Sequence, residues 1–490
     1  MYTIDNDLLS VQEARILIEN AREAQKILAT FPQKKLDRIV EHMAEEAYKY
    51  AEELAIMSCE ETGFGKWQDK FVKNVFASNF LYKKIRDMKV VGFISEDKEN
   101  KTIDIGVPVG VIVALPPATN PASTTIYKTL IAIKSGNAII FSPHPKAKNT
   151  IGKVLDVLIQ VAEESGLPSG AIGYLKTLAT NGTVALMNHK DTSLIMVTGV
   201  PKLVKEAYRS GKLTIHGGPG NGPAFIERSA DIKKAVADII ASRTFDNGIV
   251  SASEQSIVAE DCIADEVRKE LKRNGAYFMS EQESEQLGKL FFSPDDSLNW
   301  EIVGKSAIEL AKRIGIIVPE DTRVLISEQK YVSPTNPYSR EKLCPVLAFF
   351  VEKDWMNACE KCLELLINEG RGHTLVIHSN NEQVIREFAL KKPVSRVLVN
   401  TPATLGGIGA TTNLFPALTL ACGTAGGGFT SDNVSPMNLV NIRKVGYGVR
   451  QLDDITNVVQ AGEEAMINQS PIDSTQDLKA ILEKLLAHLK

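Results

Sequence analysis

Ser251 stands where a helical pattern ends, the chain turns and a new apolar run begins, inside Arg243-Thr244-Phe245-Asp246-Asn247-Gly248-Ile249-Val250-Ser251-Ala252-Ser253-Glu254-Gln255. A small residue is presented on that turn, and a serine hydroxyl there would need a neighbouring general base to act as a nucleophile. No Ser/His/Asp order of hydrolase type surrounds position 251. Asn120, in Thr119-Asn120-Pro121, carries an amide N–H donor suited to steadying a developing alkoxide. Taken alone, that tripeptide is a helix-start turn. Two further loops have chemistry in their composition. Ser142-Pro143-His144-Pro145-Lys146-Ala147 is stiffened by two prolines, which suits a binding surface and a structural turn equally. His216-Gly217-Gly218-Pro219-Gly220-Asn221, about thirty residues ahead of Ser251, offers glycine-lined space and no carboxylate. His373, in Gly372-His373-Thr374 before an apolar run, either moves a proton or satisfies a buried hydrogen bond.

The elements that must hold these residues alternate. From Val109 to about Ala241, β-branched runs (Val111–Leu115, Ala138–Phe141, Leu194–Val197, Leu213–Ile215) are separated by helical patterns, which argues for parallel βαβ units with helices on both faces. Ligands of such sheets bind beyond the carboxyl ends of the strands, where Asn120, His144 and Thr198-Gly199 fall. No G-x-G-x-x-G follows a strand, so a standard Rossmann dinucleotide site is not supported. Val11 to about Tyr50 reads as long amphipathic helices. A second α/β region starts at Gln255-Ser256-Ile257-Val258-Ala259.

The 490 residues, 44% hydrophobic and 24% charged, suit a soluble globular chain of two or three domains. A net charge of -4 gives no electrostatic case for nucleic acid or an anionic membrane. No apolar run reaches membrane-spanning length and Met1 to Ser10 lacks a signal-peptide pattern, so the cytoplasm is the expected location. Six irregularly spaced cysteines suit a reducing compartment. Cys359 and Cys362 form a C-x-x-C pair on a helical pattern without a second ligand pair, and are expected to be surface helix cysteines, with no metal site.

Phe245-Asp246-Asn247-Gly248, two apolar residues, and Ala252-Ser253-Glu254-Gln255 resemble the active-site segment of CoA-acylating aldehyde dehydrogenases, in which a cysteine occupies the position of Ser251. The resemblance runs over roughly residues 10 to 455 and implies the aldehyde dehydrogenase fold: an α/β architecture with a Rossmann-like cofactor domain, an α/β catalytic domain and a small β oligomerisation element. It implies NAD or NADP as cofactor and coenzyme A as co-substrate. Residue 251 is then the nucleophile, Asn120 the oxyanion donor and His373 a group helping CoA attack. Thr119, the adenosine-side loop at Pro143 and His144, Thr198 and Gly199 at the pyrophosphate, and Gly218, Pro219 and Gly220 are implied cofactor contacts. In hydrolytic relatives the last of these loops holds a water-activating glutamate, and its absence here favours a thiol as acyl acceptor. Glu341 is implied to contact the nicotinamide ribose, its other reading being a surface carboxylate. Lys70 lies near the substrate mouth in this reading or else is surface charge. Arg243 pairs with an anionic substrate tail or is structural. Cys344 and Cys422 are not nucleophiles.

The implied domains are 1–88 and 105–243 for NAD(P), 244–432 for catalysis, 89–104 and 433–456 for assembly as a homodimer or homotetramer, and 457–490 as a linker and terminal helix. That helix, with Leu478, Ile481, Leu482, Leu485, Leu486 and Leu489 at helical spacing, resembles peptides that target enzymes into bacterial microcompartments; packing on its own or a partner subunit is the other reading. The expected reaction converts a small aldehyde, CoA and NAD(P)+ reversibly into acyl-CoA and NAD(P)H, with turnover impaired by Ser251. Acetaldehyde, propionaldehyde, succinate semialdehyde and sulfoacetaldehyde all fit. Two alternatives stay open: a non-acylating aldehyde dehydrogenase, and a non-catalytic homologue serving as subunit or scaffold. An engineered and a natural origin of Ser251 are equally open.

Overall fold

A computed structural model describes residues 5–199, 201–456, 479 and 483. The N-terminal pattern forms the helices Asn6–Leu28 and Gln33–Lys49, which bury Ala14, Ile18, Ala21 and Leu28, and Leu36, Ile39, Val40 and Met43, at three- and four-residue steps. Asp5 caps the first, accepting from Asp7 N–H at 2.9 Å. The terminal-helix and linker expectations for 457–490 lie outside the described residues, apart from isolated helical positions at Lys479 and Glu483. Among the described residues no helix is long and apolar enough to cross a membrane.

Two strands, β1 (Gly92–Asp97) and β2 (Thr102–Pro108), precede the alternating region. Then β3 (Val111–Leu115), β4 (Ala138–Phe141), β5 (Ile172–Tyr174), β6 (Thr192–Thr198) and β7 (Leu213–Gly217) form a parallel sheet in the order β5-β4-β3-β6-β7. Helices cover both faces, so β3 and β4 are buried at every position, and their continuous apolar runs follow from that. The chain leaves β3 toward β4 and β5, then returns to β6 on the other side. Leu115 pairs with Val197, so the loops after β3 and β6 emerge side by side at this reversal of strand order. Sequence periodicity missed β5 and the helix Thr180–Asn188, both short.

The second parallel sheet contains β8 (Pro223–Ile226), β9 (Ser256–Glu260), β10 (Ala276–Phe278), β11 (Val324–Glu328), β12 (Val346–Glu352), β13 (Gly372–His378) and β14 (Val394–Val399), in the order β10-β11-β12-β9-β8-β13-β14. β8 precedes the boundary expected at 243/244, yet it pairs with both β9 and β13, which places it at the heart of this sheet. The two sheets and their helices belong to one compact unit, residues up to Gly92 together with Gly106–Asn441. The second unit holds Phe93–Ile105 and the chain from Ile442. Here β15 (Val440–Gly446) joins a three-stranded sheet in the order β1-β2-β15, with Lys444 Nζ 2.6 Å from Asp104 Oδ1.

Two surface expectations are corrected by burial. Cys359 and Cys362 face inward from the helix Trp355–Asn368, because its apolar stripe packs on the second sheet and carries both thiols with it. Lys70 and Lys73 are buried in the helix Trp67–Val75, and the carboxylate that makes this tolerable comes from the Asp246 turn. Among the described residues no cluster of metal-ligating side chains occurs.

Candidate active site

The turn that delivers Ser251 is built from residues most chains would avoid there. Asp246 and Asn247 have φ of 48° and 51°, a region that short polar side chains tolerate best, and Gly248 follows at 73°. Asp246 N–H donates to Asp69 Oδ2 at 2.7 Å, and Asn247 Nδ2 donates to Gly304 O at 2.8 Å. The Asp246 carboxylate accepts from Lys66 N–H at 2.6 Å, from Lys70 Nζ at 3.0 Å and from Lys73 Nζ. Burial opposes its charge, but the two ammonium groups prevail and hold it below the usual carboxylate range. Arg243, fully buried, donates to Ser253 Oγ at 2.8 Å and Gln255 Oε1 at 3.0 Å. It thereby ties down the chain after Ser251.

Lys73 also donates to Asn120 Oδ1. Asn120 occupies the N-cap position of the helix Pro121–Lys134 without making the side-chain cap bond usual there, so its amide is spared for other work. With Oδ1 fixed on a cation, the Nδ2 end is the free donor, and it reaches Thr119 Oγ1 at 3.2 Å. Burial, opposed by Asp246, pulls Lys73 down to about 8. Neither Lys73 nor Asp246 was singled out as functional in the sequence. The available signal was Lys70 and Lys73 on one helix face, beside an aspartate in a turn.

Ser251 is half-buried, and its Oγ lies 3.1 Å from His373 Nε2. A histidine partner absent from the local sequence is therefore supplied from 122 residues away. The His373 ring is buried, which holds it down to about 3 and keeps it neutral at every ordinary pH. Its Nδ1 lies 3.1 Å from Thr374 Oγ1.

The glycine loop meets the same spot. Gly220 lies flush against Ser251, and a Cβ on it would sit 1.6 Å from the Ser251 carbonyl oxygen. Its N–H donates to Glu341 Oε1 at 2.8 Å, while Gly218 N–H donates to Cys422 Sγ at 3.2 Å, a structural use for that thiol. Burial, with the charge of Glu369, pushes Glu341 up to about 8. Gly218, Gly220, Ser251, Glu341 and His373 all lie at or ahead of the amino ends of β8, β9, β12 and β13.

Thr119 and Asn120, Pro143 and His144, and Thr198 and Gly199 follow the carboxyl ends of β3, β4 and β6, three neighbouring strands. Pro143 is buried, and half-buried His144 accepts from Lys146 N–H at 3.1 Å through Nδ1. Gly199 has φ of 103°, a conformation that suits glycine, and Thr198 Oγ1 is buried with no hydrogen-bond partner among the described residues. A spare hydroxyl beside a glycine turn at the switch point fits a phosphate-bearing cofactor. The first sheet thus contributes carboxyl ends and the second amino ends.

The model of the aldehyde dehydrogenase family matches residues 6–286. A bifunctional aldehyde-alcohol dehydrogenase of Escherichia coli is 41% identical over 441 residues, covering 89% of this chain and 49% of that protein. The chain thus spans about half the length of this and other aldehyde-alcohol dehydrogenases it matches. Among solved structures, a probable aldehyde dehydrogenase from Listeria monocytogenes is 53% identical with a TM-score of 0.91, covering 92% of this chain and 100% of that one. An acetylating aldehyde dehydrogenase from Geobacillus thermoglucosidasius is 45% identical with a TM-score of 0.89, covering 92% and 99%.

Proposed function

This chain belongs to the aldehyde dehydrogenase family, and from that premise we propose that its cleft is built to convert a small aldehyde into acyl-CoA, with Ser251 at the position of the attacking thiol. One observation carries the reading: Ser251 is enclosed by His373 and the Gly220 turn, and the loop from Gly217 to Gly220 holds no carboxylate. With no carboxylate in that loop to activate water, the acyl group is left for an incoming thiol.

NAD(P)+, bound along the loops after β3, β4 and β6, supplies the hydride acceptor. Asn120 Nδ2, its far end anchored by Lys73, steadies the alkoxide that forms when the aldehyde is attacked. Glycines at 218 and 220 leave room on one side for a pantetheine thiol. A serine hydroxyl ionises far less readily than a thiol, so turnover of this chain is low while cofactor binding persists. The three-stranded sheet of the second unit is the assembly element in this reading.

The test compares the protein with its Ser251→Cys variant, following NADH formation from acetaldehyde and propionaldehyde with and without CoA. Ser251→Cys is expected to raise the CoA-dependent rate by about 10³-fold or more. Equal rates in both proteins would overturn the role given to Ser251, and NADH formation independent of CoA would favour a free-acid product.

A further inference from the structure

His373 has two neutral forms, and they give Ser251 opposite neighbours. With the proton on Nδ1, Nε2 is a base that accepts from Ser251, which is the arrangement of a serine hydrolase. With the proton on Nε2, the ring is a donor toward residue 251 and draws no proton from it.

The choice is made on the far side of the ring. Thr374 and Arg396 are register partners on β13 and β14. Arg396 Nε donates to Thr374 Oγ1 at 3.3 Å. The guanidinium is buried and held by four more bonds: Nη2 donates to Ala421 O at 2.7 Å and to Gly372 O at 3.4 Å, and Nη1 to Ser431 O at 3.2 Å and to Asn433 Oδ1 at 3.3 Å. An arginine only donates, so Thr374 Oγ1 accepts here. The threonine hydroxyl then has one proton to place, and among the described residues the remaining partner in reach is His373 Nδ1, at 3.1 Å. If Nδ1 carried a proton too, that hydroxyl hydrogen would be buried without an acceptor, at a cost of about 1–3 kcal/mol. The buried groups behind Ser251 are all satisfied in one arrangement: Arg396 Nε–H to Thr374, Thr374 O–H to His373 Nδ1, and His373 Nε2–H to Ser251 Oγ, which leaves the hydroxyl hydrogen of half-buried Ser251 to the cleft.

We propose that Arg396 and Thr374 are positioning residues that fix His373 in its Nε2–H form, so that it serves residue 251 as a hydrogen-bond donor and not as a general base. This rests on the reading of position 251 as the nucleophile's place. It gives Ser251 no activation, and it gives a thiolate there a stabilising donor. It also separates this pair from the serine hydrolases, in which a carboxylate accepts from Nδ1–H.

Nitrogen-15 NMR of protein labelled at histidine reads the tautomer without any turnover. The His373 signal is identified by its loss in His373→Gln. At neutral pH the expected spectrum has Nδ1 bare and Nε2 protonated; Thr374→Val shifts the population toward Nδ1–H, and Thr374→Ser restores it. In the Ser251→Cys background, alkylation by iodoacetamide at pH 7 is expected to fall about tenfold with Thr374→Val and to recover with Thr374→Ser. A predominant Nδ1–H form in the unaltered protein, or a tautomer indifferent to Thr374→Val, would overturn the proposal. Failure of Ser251→Cys to make acyl-CoA would leave the tautomer measurement standing, so the two ideas fail separately.

Discussion

Gly220 N–H donates to Glu341 Oε1 at 2.8 Å, joining the loop ahead of β8 to the segment ahead of β12 directly beneath Ser251. The contact depends on the missing side chain at 220, since any Cβ would enter the Ser251 carbonyl oxygen. Backbone meets backbone here, so the clash cannot be relieved by a rotamer.

Gly220→Ala therefore displaces the nucleophile turn. The expected loss is about 3 kcal/mol in urea unfolding, and in the Ser251→Cys background CoA-dependent activity disappears with it. An unchanged unfolding midpoint would show that the loop can yield at no cost.

Glu341, pushed up to about 8 chiefly by burial, makes stability depend on pH. Between its ordinary value near 4.5 and about 8 the folded protein holds a proton that the unfolded chain releases, so its contribution is complete below about pH 4.5 and is lost as the pH rises through 8. Glu341→Gln keeps an acceptor for Gly220 and cannot ionise. The variant is expected to gain on the parent by up to about 1 kcal/mol per pH unit from pH 6 to 8, read from urea midpoints across that range; parallel pH profiles would refute it.

Lys73→Met frees Asn120 Oδ1 and leaves Asp246 with one fewer cation. In the Ser251→Cys background kcat is expected to drop about 10²-fold with KM for aldehyde little changed, because the loss falls on the alkoxide. Unfolding should become easier by about 3 kcal/mol, the cost of breaking a buried ion pair. A fall in KM alone would place Lys73 elsewhere in the reaction.

Thr198 Oγ1, buried and unpartnered among the described residues, is expected to find its partner on the cofactor. Thr198→Val should weaken NAD(P)+ binding about tenfold by calorimetry, in the unaltered Ser251 protein as well as in Ser251→Cys, since no turnover is needed. Equal affinity for parent and variant would remove Thr198 from the cofactor site.

Much of the fold was legible because its signals are local. β-branched runs at Val111–Leu115 and Ala138–Phe141 must be strands buried on both faces, and the spacing of Ala14, Ile18 and Ala21 must be a helix stripe. The Phe245-Asp246-Asn247-Gly248 turn likewise announced itself, since few residues other than asparagine, aspartate and glycine accept positive φ. The sequence by itself thus determined the strands, the turn and the family resemblance. Tertiary structure alone decided the charges and the proton. Lys70 and Lys73 look like surface residues until Asp246 arrives from 176 and 173 positions away and permits their burial. Glu341 looks like an ordinary acid until burial and the charge of Glu369 push it up to about 8. His373 is a lone histidine until β13 and β14 pair, setting Arg396 behind Thr374 and Ser251 before the ring. Protonation states are set by neighbours in space and by the water they exclude, and neither is written in the order of residues along the chain.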